Sequence, residues 1–157
     1  MVEPLVMINV SLKGANDLLH ATHHYIKWQA PLDIQDMNNK KVFKVSSEAL
    51  RVTVRMTQII AWLMLQKAVL ADEISRKDVL SEDYRVLRGK ACRESTSETD
   101  PELPPRLREL LKESRALYER ILRLDKLARR KPILARNIQK NPFVVFNNLK
   151  NYGLKHK

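Results

Sequence analysis

At 157 residues, with a net charge of +11, three glycines and nine aromatic side chains, the chain has length for one domain and a tail, and its abundant Leu, Arg, Glu and Lys favour helices over a sheet. Its one cysteine, Cys92, excludes an intrachain disulfide, and its longest unbroken apolar run, residues 59–65, is far shorter than the roughly 20 residues of a bilayer-spanning helix. The start "MVEPLVMINV" lacks the basic opening of a signal peptide, so a cytoplasmic protein without a membrane span is expected.

The first helix is expected over residues 15–28, where Leu18, Leu19, Thr22, Tyr25 and Ile26 recur at steps of three and four. Pro31 is expected to end it, and "APLDIQDMNNKK" reads as a polar connection. The second helix is placed after Ser46 or Ser47, both suitable N-caps, with Glu48 in the first turn and an end near Ala71. Ser75 and Asp78 suggest a capping box for a short further helix. "RGKACRESTSETDPELPP" has no apolar periodicity and reads as a flexible surface connection in which Cys92 is an inert, exposed thiol. The third helix starts at Pro104 and Pro105 and carries Leu107, Leu110, Leu111, Leu117, Tyr118, Ile121, Leu124 and Ala128 in one stripe.

These elements predict an all-α, three-helix up-down-up bundle over residues 1–128, followed by a basic C-terminal tail over residues 129–157. The tail holds eight Lys or Arg and no acid, whereas the body holds 21 basic and 18 acidic groups. The excess positive charge therefore belongs to the tail. A short apolar cluster there, Phe143, Val144, Val145, Phe146, Leu149 and Tyr152, suits docking into an acidic-edged groove.

At 100° per residue the second helix resolves into three strips. Val52, Met56, Ile59, Ile60, Leu63 and Leu70 face the core. Leu50, Val54, Ala61, Leu65 and Ala68 form a second apolar sector that two neighbouring helices cannot cover, so a homodimer or another packing partner is expected there. Between them run Glu48, Arg51, Arg55, Gln58, Trp62, Gln66, Val69 and Glu73. Arg and Trp are common interface anchors, because they join a large contact area to fixed hydrogen-bonding directions, and this strip is the candidate partner-binding surface.

Catalytic patterns are missing. His20, His23 and His24 lack both the general base of a zinc-protease helix and an evident third ligand. The chain has no phosphate-cradling glycine loop and no nucleophile elbow. A non-enzymatic protein without cofactor or metal is expected.

The blocks "SEALRVTVRMTQIIAWLMLQKAVLADEI" and "LPPRLRELLKESRALYERILRLD" resemble the central and third helices of the regulator of CtrA degradation family of alphaproteobacteria. The resemblance rests on Glu48, Arg51, Thr53, Arg55, Gln58, Trp62, Leu63, Gln66, Ala68, Val69 and Glu73, then on Leu103, Pro104, Leu107, Ser114, Leu117, Tyr118, Arg120, Leu124 and Asp125, and covers about a third of the chain. Lys67 and Asp72 depart from it, standing where Arg and Gly are expected. The resemblance implies a cytoplasmic, dimeric adaptor that helps deliver substrates, including the cell-cycle transcription factor CtrA, to the ClpXP protease. Its implied partners are a response regulator and a cyclic-di-GMP-binding adaptor. The alternative is a nucleic-acid-associated protein that uses "RRKPILARNIQK" as an electrostatic arm.

Overall fold

A computed structural model describes residues 4–81, 85–87, 92 and 96–129. Among these the regular structure is helical: α1 Pro4–His24, a π-helical turn Tyr25–Gln29, α2 Ala30–Asp33, α3 Asn39–Leu70, α4 Arg76–Val79, a 3-10 turn Ser97–Thr99, and α5 Pro105–Arg129. No described helix is long and apolar enough to cross a membrane.

Pro31 does not stop the first helix. A proline inside an α-helix removes one hydrogen bond and collides with the carbonyl four residues back. Here the turn ahead of it widens, Ala30 N–H reaching the Tyr25 carbonyl, and the chain continues as α2 with Pro31 in its first turn. Such π-turns are a recognised way to absorb a local misfit. Tyr25 is buried under this turn beside Asp33. Burial, then the nearby carboxylate charge, pushes its pKa well above the usual tyrosine range.

α3 starts earlier than the serines at 46 and 47 suggest. Asn38 is the N-cap: its backbone is extended and its side-chain oxygen accepts from Lys41 N–H at 3.0 Å. At the other end Asp72 adopts φ 55°. Its N–H donates to the Val69 carbonyl and Glu73 N–H donates to that of Ala68, closing a Schellman motif. Ser75 caps α4 by accepting from Asp78 N–H at 3.1 Å.

α1 and α5 both pack on α3. Pro4 and Leu5 line one pocket with Lys67, Leu70 and Ala71, which puts the start of α1 beside the end of α3, so α1 runs antiparallel to α3. α5 does not: Arg55 contacts Leu111 and Ser114, Gln58 contacts Tyr118, and Trp62 contacts Asp125. Residue numbers rise together, so α3 and α5 are parallel. The arrangement is up-down-down, which corrects the expected up-down-up bundle. The segment between α3 and α5 must then travel back along the bundle. At its described positions it lies close to the body, with Leu87, Cys92 and Leu103 buried in the core cluster. At these described positions the expected loose surface connection is corrected, and Cys92 is buried rather than exposed.

The core joins Ala15, Leu18 and Tyr25 to Val52, Met56, Ile59 and Leu63, and to Leu107, Leu110, Leu111, Tyr118 and Ile121. Full burial of each large aliphatic side chain contributes about 1.5–3 kcal/mol. Of the expected core strip of α3, Ile60 is half-buried and Leu70 exposed, because Ile60 lies at the edge of the strip and Leu70 is the last residue of the helix.

Candidate functional site

The polar strip on α3 is turned into the molecule. α5 lies along it, and the returning segment crosses it. Arg55 has no exposed surface. Its Nε donates to the Cys92 carbonyl at 2.8 Å, Nη1 to the Leu111 carbonyl and Ser114 Oγ at 3.1 Å each, and Nη2 to Glu98 Oε1 at 3.4 Å. The second Glu98 oxygen accepts from Arg115 Nη1 at 3.2 Å. Burial lowers the Arg55 pKa and the Glu98 charge partly restores it; an arginine remains protonated throughout. A planar fork reaching three chain segments at once is a task lysine cannot perform.

Further along, Tyr118 Oη donates to Gln58 Oε1 at 2.9 Å. Trp62 Nε1 donates to Asp125 Oδ1 at 2.9 Å, the other carboxylate oxygen accepts from Arg129 Nε at 2.9 Å, and Arg129 Nη1 donates to the Leu80 carbonyl at 2.8 Å. Nearer the start of α3, Arg51 holds Glu48 within the same helix.

This placement corrects the partner-binding strip for three of its members. Glu48, Arg55 and Trp62 are buried and the polar groups of Arg55 and Trp62 bond within the chain. Arg51, Gln58 and Gln66 are half-buried, and only Glu73 is exposed. The buried members of the strip form an internal clamp. Its side-chain types were legible; that the chain's own α5 satisfies them was not. Ser114 and Asp125, which complete the clamp on α5, were not singled out as polar partners. Their place in the α5 apolar stripe, three residues before Leu117 and one after Leu124, was the available signal.

The opposite side of α3 remains open. Phe43, Leu50 and Met64 are 75%, 62% and 52% exposed and Val54 37%. Ala61, Leu65 and Ala68 are half-buried. These include every residue of the expected dimer or packing face. Phe43 and Met64 extend it and were missed, although they fall on the same helical spacing. No charged residue occupies this stripe from Phe43 to Ala68: the charges of α3 in that interval, Lys44, Glu48, Arg51, Arg55 and Lys67, all project elsewhere around the helix. The stripe is about 38 Å long at 1.5 Å per residue. Apolar side chains exposed singly are ordinary on a folded protein, whereas a run of them along one helix face is not.

The tail residues Phe143, Val145, Phe146, Leu149 and Tyr152 lie outside the described residues. His20, His23 and His24 are exposed on α1. Among the described residues no group of three His, Cys, Asp or Glu is placed to hold a metal ion.

A family model described as a protein of unknown function, DUF1465, matches residues 8–146. The chain belongs to that family. The match takes in α1 from Ile8 onward, the clamp, α5 and the tail as far as Phe146, so the DUF1465 sequence pattern extends over both the open face and the buried network. No curated protein and no solved structure matches the chain.

Proposed function

We propose that this DUF1465 protein is a non-enzymatic, cytoplasmic adaptor in regulated proteolysis, a homodimer that helps deliver substrates such as a CtrA-like cell-cycle transcription factor to the ClpXP protease. The observation that carries this reading is the uncharged apolar face of α3, held on a bundle whose polar strip is locked from behind by Arg55 and Trp62. Such a construction suits the presentation of a surface to a partner. The resemblance of the two helical blocks to the regulator of CtrA degradation family supplies the protease, its response-regulator and cyclic-di-GMP-binding co-adaptors, and the class of cargo. An adaptor acts by raising the effective concentration of substrate at the protease. The tail, with Phe143 and Phe146, serves as the tether.

The test is reconstituted degradation of a CtrA-class substrate by ClpXP with its co-adaptors, with and without this chain. Delivery shortens the substrate half-life severalfold in proportion to added chain. A half-life that stays constant over the whole titration eliminates the adaptor reading.

A further inference from the structure

The open face of α3 has a finer order than apolarity. Phe43, Ser47, Leu50, Val54, Thr57, Ala61, Met64 and Ala68 succeed one another at alternating steps of four and three, the spacing of a coiled-coil seam. All of them are exposed or half-buried in the single chain. Thr57 donates its hydroxyl to the Thr53 carbonyl at 2.9 Å, so its polar group stays satisfied if water is removed.

Side-chain size along the seam is not random either. The large residues Phe43 and Leu50 sit in its first half and the small Ala61 and Ala68 in its second, while Ser47 and Met64 reverse the trend together. Reading the seam backwards against itself places Phe43 on Ala68, Ser47 on Met64, Leu50 on Ala61 and Val54 on Thr57. The three outer layers then each pair a larger side chain with a smaller one, and the central layer pairs Val54 with Thr57, two side chains of nearly equal size. Interfaces pack to interior density only when volumes are complementary in this way. Reading the seam in parallel stacks Phe43 on Phe43 and Ala68 on Ala68, bulging at one end and leaving a gap at the other. The alternation of heptad positions agrees, since antiparallel layers join unlike seam positions, as each of these pairs does.

We infer that a second copy of this chain covers the face, with the two α3 helices antiparallel and the twofold axis between Val54 and Thr57. A twofold interface must be self-complementary, and the size order supplies that property. The absence of seam charge means that neither copy buries an unpaired ion. This inference rests on the homodimer proposed above and adds its direction and register.

The experiment uses the full chain with Cys92→Ala, leaving no native thiol, and compares Leu50→Cys and Ala61→Cys alone and mixed, treated with a short bismaleimide. In the antiparallel register Leu50 faces the partner's Ala61, whereas the two Leu50 positions are separated by about 16 Å along the axis. The mixture therefore cross-links and neither protein alone does. Cross-linking of each protein alone overturns the inference in favour of a parallel seam. Sedimentation velocity separates the remaining outcomes: a dimer without cross-links in any sample overturns this surface and leaves the homodimer intact, and a monomer at high concentration overturns both. Leu50→Lys and Ala61→Glu, at surface positions, each weaken association at least tenfold with unchanged helicity, and mixing them restores it; failure to restore dimers in the mixture overturns the register.

Discussion

Trp62 and Asp125 are joined by a single 2.9 Å hydrogen bond between helices whose paired residues are 63 positions apart. Both side chains are about 95% buried. The carboxylate keeps its second oxygen on Arg129. Trp62→Phe removes the donor but leaves most of the ring volume, so one carboxylate oxygen loses its partner. The expected cost is about 1–3 kcal/mol, read as a lower urea midpoint with an unchanged slope. A midpoint equal to that of the parent chain means Asp125 finds water instead and the bond contributes nothing.

Arg55 is the stronger test of the clamp. Arg55→Lys keeps the charge but cannot reach the Cys92 carbonyl, the Leu111 carbonyl and Glu98 together. Removing one partner from a buried ionic network costs about 3–5 kcal/mol, and the lysine, retaining a charge and one or two donors, is expected to lose somewhat less, about 2–3 kcal/mol. Arg51→Ala, by comparison, breaks a partly exposed pair within one helix and loses under about 1 kcal/mol. Chemical denaturation of the two variants side by side distinguishes an internal clamp from a surface strip, for which the two losses are equal.

Two substitutions are expected to stabilise the bundle. Asp72 occupies the left-handed region at φ 55°, favourable for glycine, and adds a negative charge at the negative end of α3. Gly14 lies inside α1, and a Cβ built there meets no atom within 4 Å beyond its own stretch of helix. Asp72→Gly and Gly14→Ala should each add about 0.5–1 kcal/mol, raising the melting temperature by about 2–4 °C. A calorimetric scan in which Asp72→Gly lowers the midpoint contradicts the Schellman geometry.

Acid sensitivity should arise partly from one exposed cluster. Lys44 bridges Asp100 and Glu102, with Lys41 on the same Glu102 at 3.5 Å. Hydrogen bonding to Lys44 holds both carboxylates below their usual range. A lowered folded-state pKa means that the unfolded chain binds more protons as the pH falls, so this stabilisation is complete above the ordinary carboxylate range and is lost below about pH 5. Lys44→Ala should flatten the pH dependence of the urea midpoint between about pH 3 and pH 6. An unaltered slope means that solvent already screens the cluster.

In the tail, Phe143→Ser with Phe146→Ser should abolish substrate delivery while leaving the thermal midpoint and sedimentation of the chain unchanged. If the eight basic groups of residues 129–157 instead grip duplex DNA, the logarithm of affinity falls steeply with that of salt, by about 0.9 per neutralised phosphate. A gel shift that persists in moderate salt, together with no delivery by the parent chain, favours the nucleic-acid alternative, whereas unimpaired delivery by the double variant removes the two phenylalanines from the adaptor mechanism.

Helical class and the inward stripe of α5 were legible because Leu107, Leu110, Leu111, Tyr118, Ile121 and Leu124 repeat cleanly on a polar background. The uncovered sector of α3 was legible for the same reason. The direction of α5 was not, because a connection of this length permits either a turn or a return, and the choice lies in distant pairs such as Arg55 with Ser114. The start of α3 was hidden because Asn38 looks like a loop residue until its oxygen is seen on Lys41 N–H. Arg55 and Trp62 read as docking residues because these side chains serve a foreign partner and the chain's own third helix with the same chemistry.

The parallel course of α3 and α5 also governs how the chain acquires its shape. A hairpin bundle gains each helix contact across a brief loop, whereas here the bonds joining α3 to α5 close loops of 56 to 63 residues. High contact order slows folding, so α1 and α3 should associate first and α5 should dock in the rate-limiting step. During synthesis, the α1–α3 pair therefore emerges and waits, its inner face bare, until residues beyond 105 have been made.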